Sequence, residues 1–235
     1  MKTYPVLDLP IHLSDNYQDC LLERIEHQKG AHVVTINSEM VMMAQQNPDL
    51  KHIVEKADVI VPDGSGIILY LLRRGIKQKR IAGIELAESL VKKLGADSAR
   101  HPICFYGAAP GVTEEAVKMF KNQIPNINII HNHGYLKGAE LEAWYEKIEQ
   151  VQPKLILVGL GVPRQEIWIA NHRYLAPSAV FIGVGGSFDI WGGVKERAPK
   201  FFCDNNLEWL YRLYQEPWRW KRMMVLPQFL FKALF

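Results

Sequence analysis

Five polar or glycine-rich clusters in this chain each follow a short apolar run, and they carry the side chains best suited to chemistry. They are Thr35-Ile36-Asn37-Ser38-Glu39, Pro62-Asp63-Gly64-Ser65-Gly66, Gly107-Ala108-Ala109-Pro110-Gly111, Gly159-Leu160-Gly161-Val162-Pro163-Arg164-Gln165-Glu166 and Gly183-Val184-Gly185-Gly186-Ser187-Phe188-Asp189. A carboxylate at the end of a strand, such as Asp63, can take a proton from an attacking hydroxyl. Asp-Gly is also an ordinary turn dipeptide or helix N-cap. Thr35 and Asn37 are candidates beside the plainer alternative that they close their strand. Glu166 reads either as a site acid or as a solvent-facing helix residue, and Asp189 as a site acid or a helix cap. Gly107, Gly161 and Gly185 belong to loops whose N–H groups could approach an anion, with residues 107–111 and 159–161 as the phosphate cradles. Each such loop alone is equally a tight turn.

Neither GxGxxG nor GxxxxGK[ST] occurs, which counts against a standard dinucleotide or ATP site. No DxD occurs, so the paired acids that often hold a metal against a diphosphate are missing, and the histidines show no metal-ligand spacing. A metal-independent reaction without a cofactor is the simpler expectation. Arg80, Arg164 and Arg197 are then the cations available to neutralise a leaving diphosphate.

These clusters need a frame that brings them to one rim. Strand-length runs rich in Val and Ile fall at 31–36, 58–61, 103–106, 127–130, 155–158 and 180–184. Helical patterns fall at 16–28, 38–46, 66–74, 84–94, 112–123, 138–150 and 164–174. The alternation predicts an α/β, Rossmann-like, mostly parallel sheet with helices on both faces. In such sheets ligands bind beyond the carboxyl ends of the strands, where all five clusters lie. The expected organisation is a core over 1–198 and a basic, aromatic appendage over 199–235, with one helix at 206–215 and another from 217.

The chain has 235 residues, 48% of them apolar, and a formal net charge of +3, too small by itself to imply nucleic acid. Cys20, Cys104 and Cys203 form no CxxC pattern, and a reducing cytoplasm fits them best. No signal-peptide h-region and no membrane-length apolar stretch is present. The tail combines Trp209, Trp218 and Trp220 with Arg212, Arg219, Lys221, Arg222 and Lys232. That composition favours contact with an anionic membrane surface over a terminal helix simply packed on the core. An exposed apolar surface on the body leaves a homo-oligomer open as well.

Taken together the motifs resemble the WecG/TagA/CpsF glycosyltransferase family. The resemblance runs from Thr35-Ile36-Asn37-Ser38-Glu39 through Pro62-Asp63-Gly64, Arg80-Ile81-Ala82-Gly83 and His133-Gly134-Tyr135. It continues through the clusters at 158–166 and 183–189 and through Gly193 and Arg197-Ala198-Pro199 to the tail at 207–213 and 216–219. It implies inverting transfer of N-acetylmannosamine, its uronic acid or glucose from a UDP-sugar to a polyprenyl-diphosphate-linked sugar, peripherally on the cytoplasmic face of a bacterial membrane. By the same resemblance Asp63 is the base, with Thr35 and Asn37 beside it, and Gln165, Glu166 and Asp189 lie on the donor side. Arg212, Arg219 and Arg222 match the basic tail that docks on the membrane near the lipid diphosphate. One departure is Glu85, where the family usually has aspartate. Two other classes stay in view: a nicotinamide-dependent oxidoreductase, which lacks its fingerprint, and a non-catalytic membrane adaptor.

Overall fold

A computed structural model describes residues 1–97, 100–205, 207–220 and 224–234, with the backbone alone at Arg219, Ala233 and Leu234. Arg222, and Lys221 beside it, lie outside the described residues. The chain opens with a hairpin, β1 (Lys2–Val6) and β2 (Leu9–Leu13), and continues as α1 (Tyr17–Glu26), β3 (Ala31–Ile36), α2 (Ser38–Gln46), α3 (Pro48–Glu55), β4 (Val59–Pro62), α4 (Ser65–Arg73) and α5 (Gly83–Gly95). Then come β5 (Ile103–Gly107), α6 (Val112–Gln123), β6 (Ile129–Asn132), α7 (Ala139–Val151), β7 (Leu155–Gly159), α8 (Arg164–His172), β8 (Val180–Gly183) and α9 (Ser187–Trp191). The tail forms α10 (Lys200–Asp204), α11 (Glu208–Gln215) and, last, α12 (Val225–Leu234).

Six strands form one sheet in the order β4-β3-β8-β7-β5-β6, every pair parallel. Alternation along the strands fills both faces. On β3, Ala31 and Val33 join the apolar layer with α1, α5, α6 and α9, while Val34 and Ile36 join the opposite layer with α2, α3 and α4. On β7, Leu155 and Leu157 face the first layer, and Ile156 and Val158 pack with Trp144 and Trp168 of α7 and α8. The predicted fold class is therefore present.

Several boundaries differ from the expectation. The strand expected at 127–130 sits two residues later, because Ile127 is buried in the turn before β6 and the pairing with β5 begins at Ile129. The helix expected at 164–174 ends at His172 and tightens into a 3-10 turn over Arg173–Leu175. The helix expected from 206 begins at Glu208.

The hairpin, absent from the sequence expectation, protects an edge. Its Leu7-Asp8 turn has φ of 45° and 71°, the geometry of a two-residue hairpin loop. His12 on β2 accepts through Nδ1 from the N–H of Ile60 on the edge strand β4, at 2.8 Å. An outward N–H that would otherwise offer pairing to another chain is thereby satisfied.

Candidate active site

The chain links that place the clusters start at β3. Asn37 caps α2 by accepting from Met40 N–H at 3.0 Å, so the strand turns sharply into its helix. Gly64 lies against Asn37, where a Cβ would come within 2.9 Å of the Asn37 Cα. Asp63 N–H donates to Ile36 carbonyl at 2.9 Å, which ties the ends of β3 and β4 together. Thr35 donates from Oγ1 to Gly183 carbonyl at 3.2 Å, tying β3 to β8 in turn. The result is a cavity of about 590 Å³ above the carboxyl ends of these strands. Its lining includes Thr35, Asn37, Asp63, Arg80, Gly161, Gln165 and Gly185 from the core, together with Arg212 from the tail.

Asp63 is the acid at the floor. Its side chain is 25% exposed, and burial raises its pKa above the ordinary carboxylate value. Opposing that rise are the Arg80 guanidinium, a hydrogen bond from the Gly83 N–H at the start of α5, and the charge of Arg212. Glu208 adds to it as a like charge. Arg80 Nη2 stands 3.5 Å from Asp63 Oδ1, and its other partner is Glu208, with which it forms a close ion pair. A carboxylate raised above its ordinary value yet held next to a guanidinium is a competent proton acceptor.

Glu208 opens α11 and is buried, an unusual position for an acid. Burial opposes its charge, but Arg80, a hydrogen bond from Cys203 and the charge of Arg212 together hold its pKa below the usual glutamate value. Arg197 Nε lies 3.9 Å from the same carboxylate and its Nη2 pairs with Glu85. This pairing joins Glu85 to the segment just ahead of the tail. The appendage is thus fastened over the cavity by charge, and by α12, whose Phe229 is fully buried against α2 and α4.

On the far wall Gln165 lines the cavity, while Glu166 is fully buried behind it and does not reach the lining, so the solvent-facing alternative for Glu166 is wrong. Glu166 Oε2 lies 2.7 Å from His32 Nε2, its Oε1 accepts from Gln165 at 2.9 Å, and Gln165 Oε1 accepts from Gly185 N–H at 3.0 Å. His32 escaped sequence reasoning; the signal was a histidine inside an otherwise apolar strand. Glu208 also escaped it, visible only as one acid in a basic tail.

Other candidates lie away from the cavity. Gly107 is behind it, its backbone packed so tightly on Gly159 that a Cβ would sit 2.5 Å from the Gly159 carbonyl. Arg164 is exposed on α8. Asp189, in the first turn of α9, pairs with Lys195 at 3.7 Å, and Lys195 itself reaches the cavity. Arg197 stands one residue behind the wall through Glu208. Arg219 is a backbone position in a 3-10 turn over Pro217–Arg219, next to Trp218 of the lining.

An open parallel sheet with its cavity over the carboxyl strand ends places the chain among the ligand-binding α/β folds, and a half-buried acid beside arginines gives that cavity a proton acceptor and cations for an anionic ligand. The profile of the Glycosyl transferase WecG/TagA/CpsF family matches residues 4–235, and the chain belongs to that family and is a glycosyltransferase. It is 39% identical over 226 residues to the N-acetylglucosaminyldiphosphoundecaprenol N-acetyl-beta-D-mannosaminyltransferase of Bacillus spizizenii, covering 95% of this chain and 83% of that one. The enzyme of the same name from Bacillus subtilis is 36% identical, covering 100% of this chain and 92% of its own. That from Staphylococcus aureus is 35% identical over 85% of this chain and 78% of its own.

Proposed function

We propose that this glycosyltransferase moves N-acetylmannosamine from its UDP derivative to N-acetylglucosamine carried on undecaprenyl diphosphate, in cell-surface polysaccharide synthesis. The observation that carries the reading is Asp63, an acid of raised pKa on the floor of the cavity with Arg80 beside it. The names of the relatives support the donor sugar and the acceptor.

In the proposed step the acceptor hydroxyl oxygen forms a bond to the anomeric carbon from the face opposite UDP. The bond from that carbon to the diphosphate oxygen breaks, its electron pair leaves with UDP, and the hydroxyl proton passes to Asp63. An α-linked donor then gives a β-glycoside, in keeping with the β-mannosaminyl names of the relatives. Thr35 and Asn37 orient the reacting sugars. The N–H groups of the Gly161 and Gly185 loops and Arg212 stabilise the departing diphosphate, with no metal required. Closure of the tail excludes water that would hydrolyse the donor.

We place the enzyme peripherally on the cytoplasmic membrane face, docked through its tail. Among the described residues no helix is long and apolar enough to cross a membrane. Trp218, Trp220 and Tyr214 are exposed beside Arg212, the mixture that settles in a headgroup layer.

Acceptor-dependent UDP release from a panel of UDP-sugars, in EDTA and then in magnesium, tests the reading. Release from UDP-N-acetylmannosamine in EDTA is expected. Preference for UDP-glucose would move the donor assignment, and release that needs magnesium would remove the metal-independent step.

A further inference from the structure

Helix α4 has two unlike faces. Ile67, Tyr70 and Leu71 are buried against the core, whereas Leu69 and Leu72 are 44% and 55% exposed. At about 100° per residue, Leu69, Leu72 and Arg73 fall on one stripe, which ends where the helix does. The surrounding segment carries one charge: between Asp63 and Glu85 stand Arg73, Arg74, Lys77, Lys79 and Arg80 with no acid at all. Arg80 is engaged with Asp63 and Glu208 in the cavity, and the other four are exposed. Arg74 lays its guanidinium 3.8 Å from the Tyr70 ring centre, so its stem runs along apolar surface while its charge stays at the edge.

The neighbouring helix repeats the pattern. Phe229 of α12 packs against Tyr70 of α4, with ring centroids 6.2 Å apart, while Phe231 and Lys232 are exposed. Ser65 and Gly66, at the start of α4, line the cavity. The stripe therefore begins within about 10 Å of the cavity rim, at roughly 1.5 Å of rise per residue.

We propose that the outer face of α4, with Phe231 and Lys232 of α12, is a second membrane-contact surface that seats the cavity mouth on an anionic bilayer. The proposal rests on the reading that the enzyme docks on a membrane, and adds a core element to a contact otherwise assigned to the tail. Exposed leucines flanked by arginine and lysine match a bilayer surface, apolar at acyl depth and anionic at the headgroups. A second copy fits poorly, because a two-fold contact through this face would set its cations against the same cations of the partner. Contact so near the mouth also brings a lipid-borne diphosphate to Asp63 without drawing its prenyl chain far out of the bilayer.

The test is co-sedimentation of the full chain with phosphatidylglycerol-containing vesicles and with phosphatidylcholine vesicles. The double variant Leu69→Asp/Leu72→Asp is expected to bind the anionic vesicles more weakly, on the order of tenfold. UDP release with a short-chain, water-soluble acceptor should be unchanged. Arg73→Glu/Lys77→Glu, which leaves the leucines in place, should lose binding to anionic vesicles and most of its salt dependence. Undiminished binding by both variants, with wild type bound, overturns the α4 surface and leaves tail docking standing. Absence of wild-type binding to either vesicle overturns the membrane reading itself. A wild-type dimer in light scattering that Leu69→Asp/Leu72→Asp converts to monomer would assign the face to a second copy and also overturn the proposal.

Discussion

The proposed chemistry turns on one acid whose surroundings pull in two directions. Burial raises the Asp63 pKa and Arg80 restrains it, with the balance upward. If Asp63 is the base, as proposed, transfer needs its carboxylate, and the acidic limb of the kcat profile should lie above the usual aspartate value of about 4. A limb at or below that value would mean that the titrating group is not this one. The same shift bears on stability with the opposite sign. A folded-state pKa above the unfolded one adds stability at low pH that is lost as pH rises through the folded value. At neutral pH the ionised Asp63 is therefore a liability to the fold, and Asp63→Asn should melt at the same temperature or higher. Glu208 runs the other way: its depressed pKa adds stability above the unfolded value, lost as pH falls through the folded one. Glu208→Ala leaves Arg80 short of a buried partner and should cost about 1–3 kcal/mol by denaturant titration. The sequence offered Asp63 as a candidate through its strand-end position and, for its role, through the family resemblance, and the structure places it in the cavity lining; Glu208 gave no such signal, since its partner Arg80 is 128 residues away in the chain.

Long, periodic elements were the readable ones. The six core strands are continuous Val- and Ile-rich runs and the helices between them carry apolar stripes, so the sheet and its crossovers followed from pattern. The hairpin did not, because Pro5 and Pro10 fall within its strands and its turn uses Leu7 rather than glycine. Helix α3 carries Asn47 as its cap and Pro48 at its first position, signals present in the sequence but attached to an eight-residue helix too short to stand out. The tail was legible as composition, and its packing was not, since the apolar residue that fastens α12 looks the same as those that do not. Phe229→Ala should free this helix locally. The expected result is faster proteolysis after residue 224 with little change in the main melting transition, because docking of a terminal helix is a separate unit of stability. Equal proteolysis of variant and wild type would show that α12 is held by other contacts.

At the scale of the molecule, a parallel sheet gathers the ends of four strands into one cavity, and a basic tail covers it. Gly107 and Arg164 illustrate the limit of reading such a rim from sequence. Both stand at or beyond strand ends as site residues do, yet one packs on Gly159 and the other is exposed on α8, and neither lines the cavity. Position along a strand predicts which rim a residue joins, and only the sheet order predicts which residues on it meet. The cavity joins β4, β3, β8 and β7, leaving the β5 end aside. The arrangement makes one claim above the others, that Asp63 accepts the acceptor proton while the rest of the site binds and orients. The direct measurement is acceptor-dependent UDP release by Asp63→Asn, alongside its affinity for the UDP-sugar and its melting temperature. The account predicts a kcat loss on the order of 10²-fold or more, with donor affinity kept and the fold intact. Near-normal turnover by the folded variant would contradict it and move the base elsewhere in the cavity.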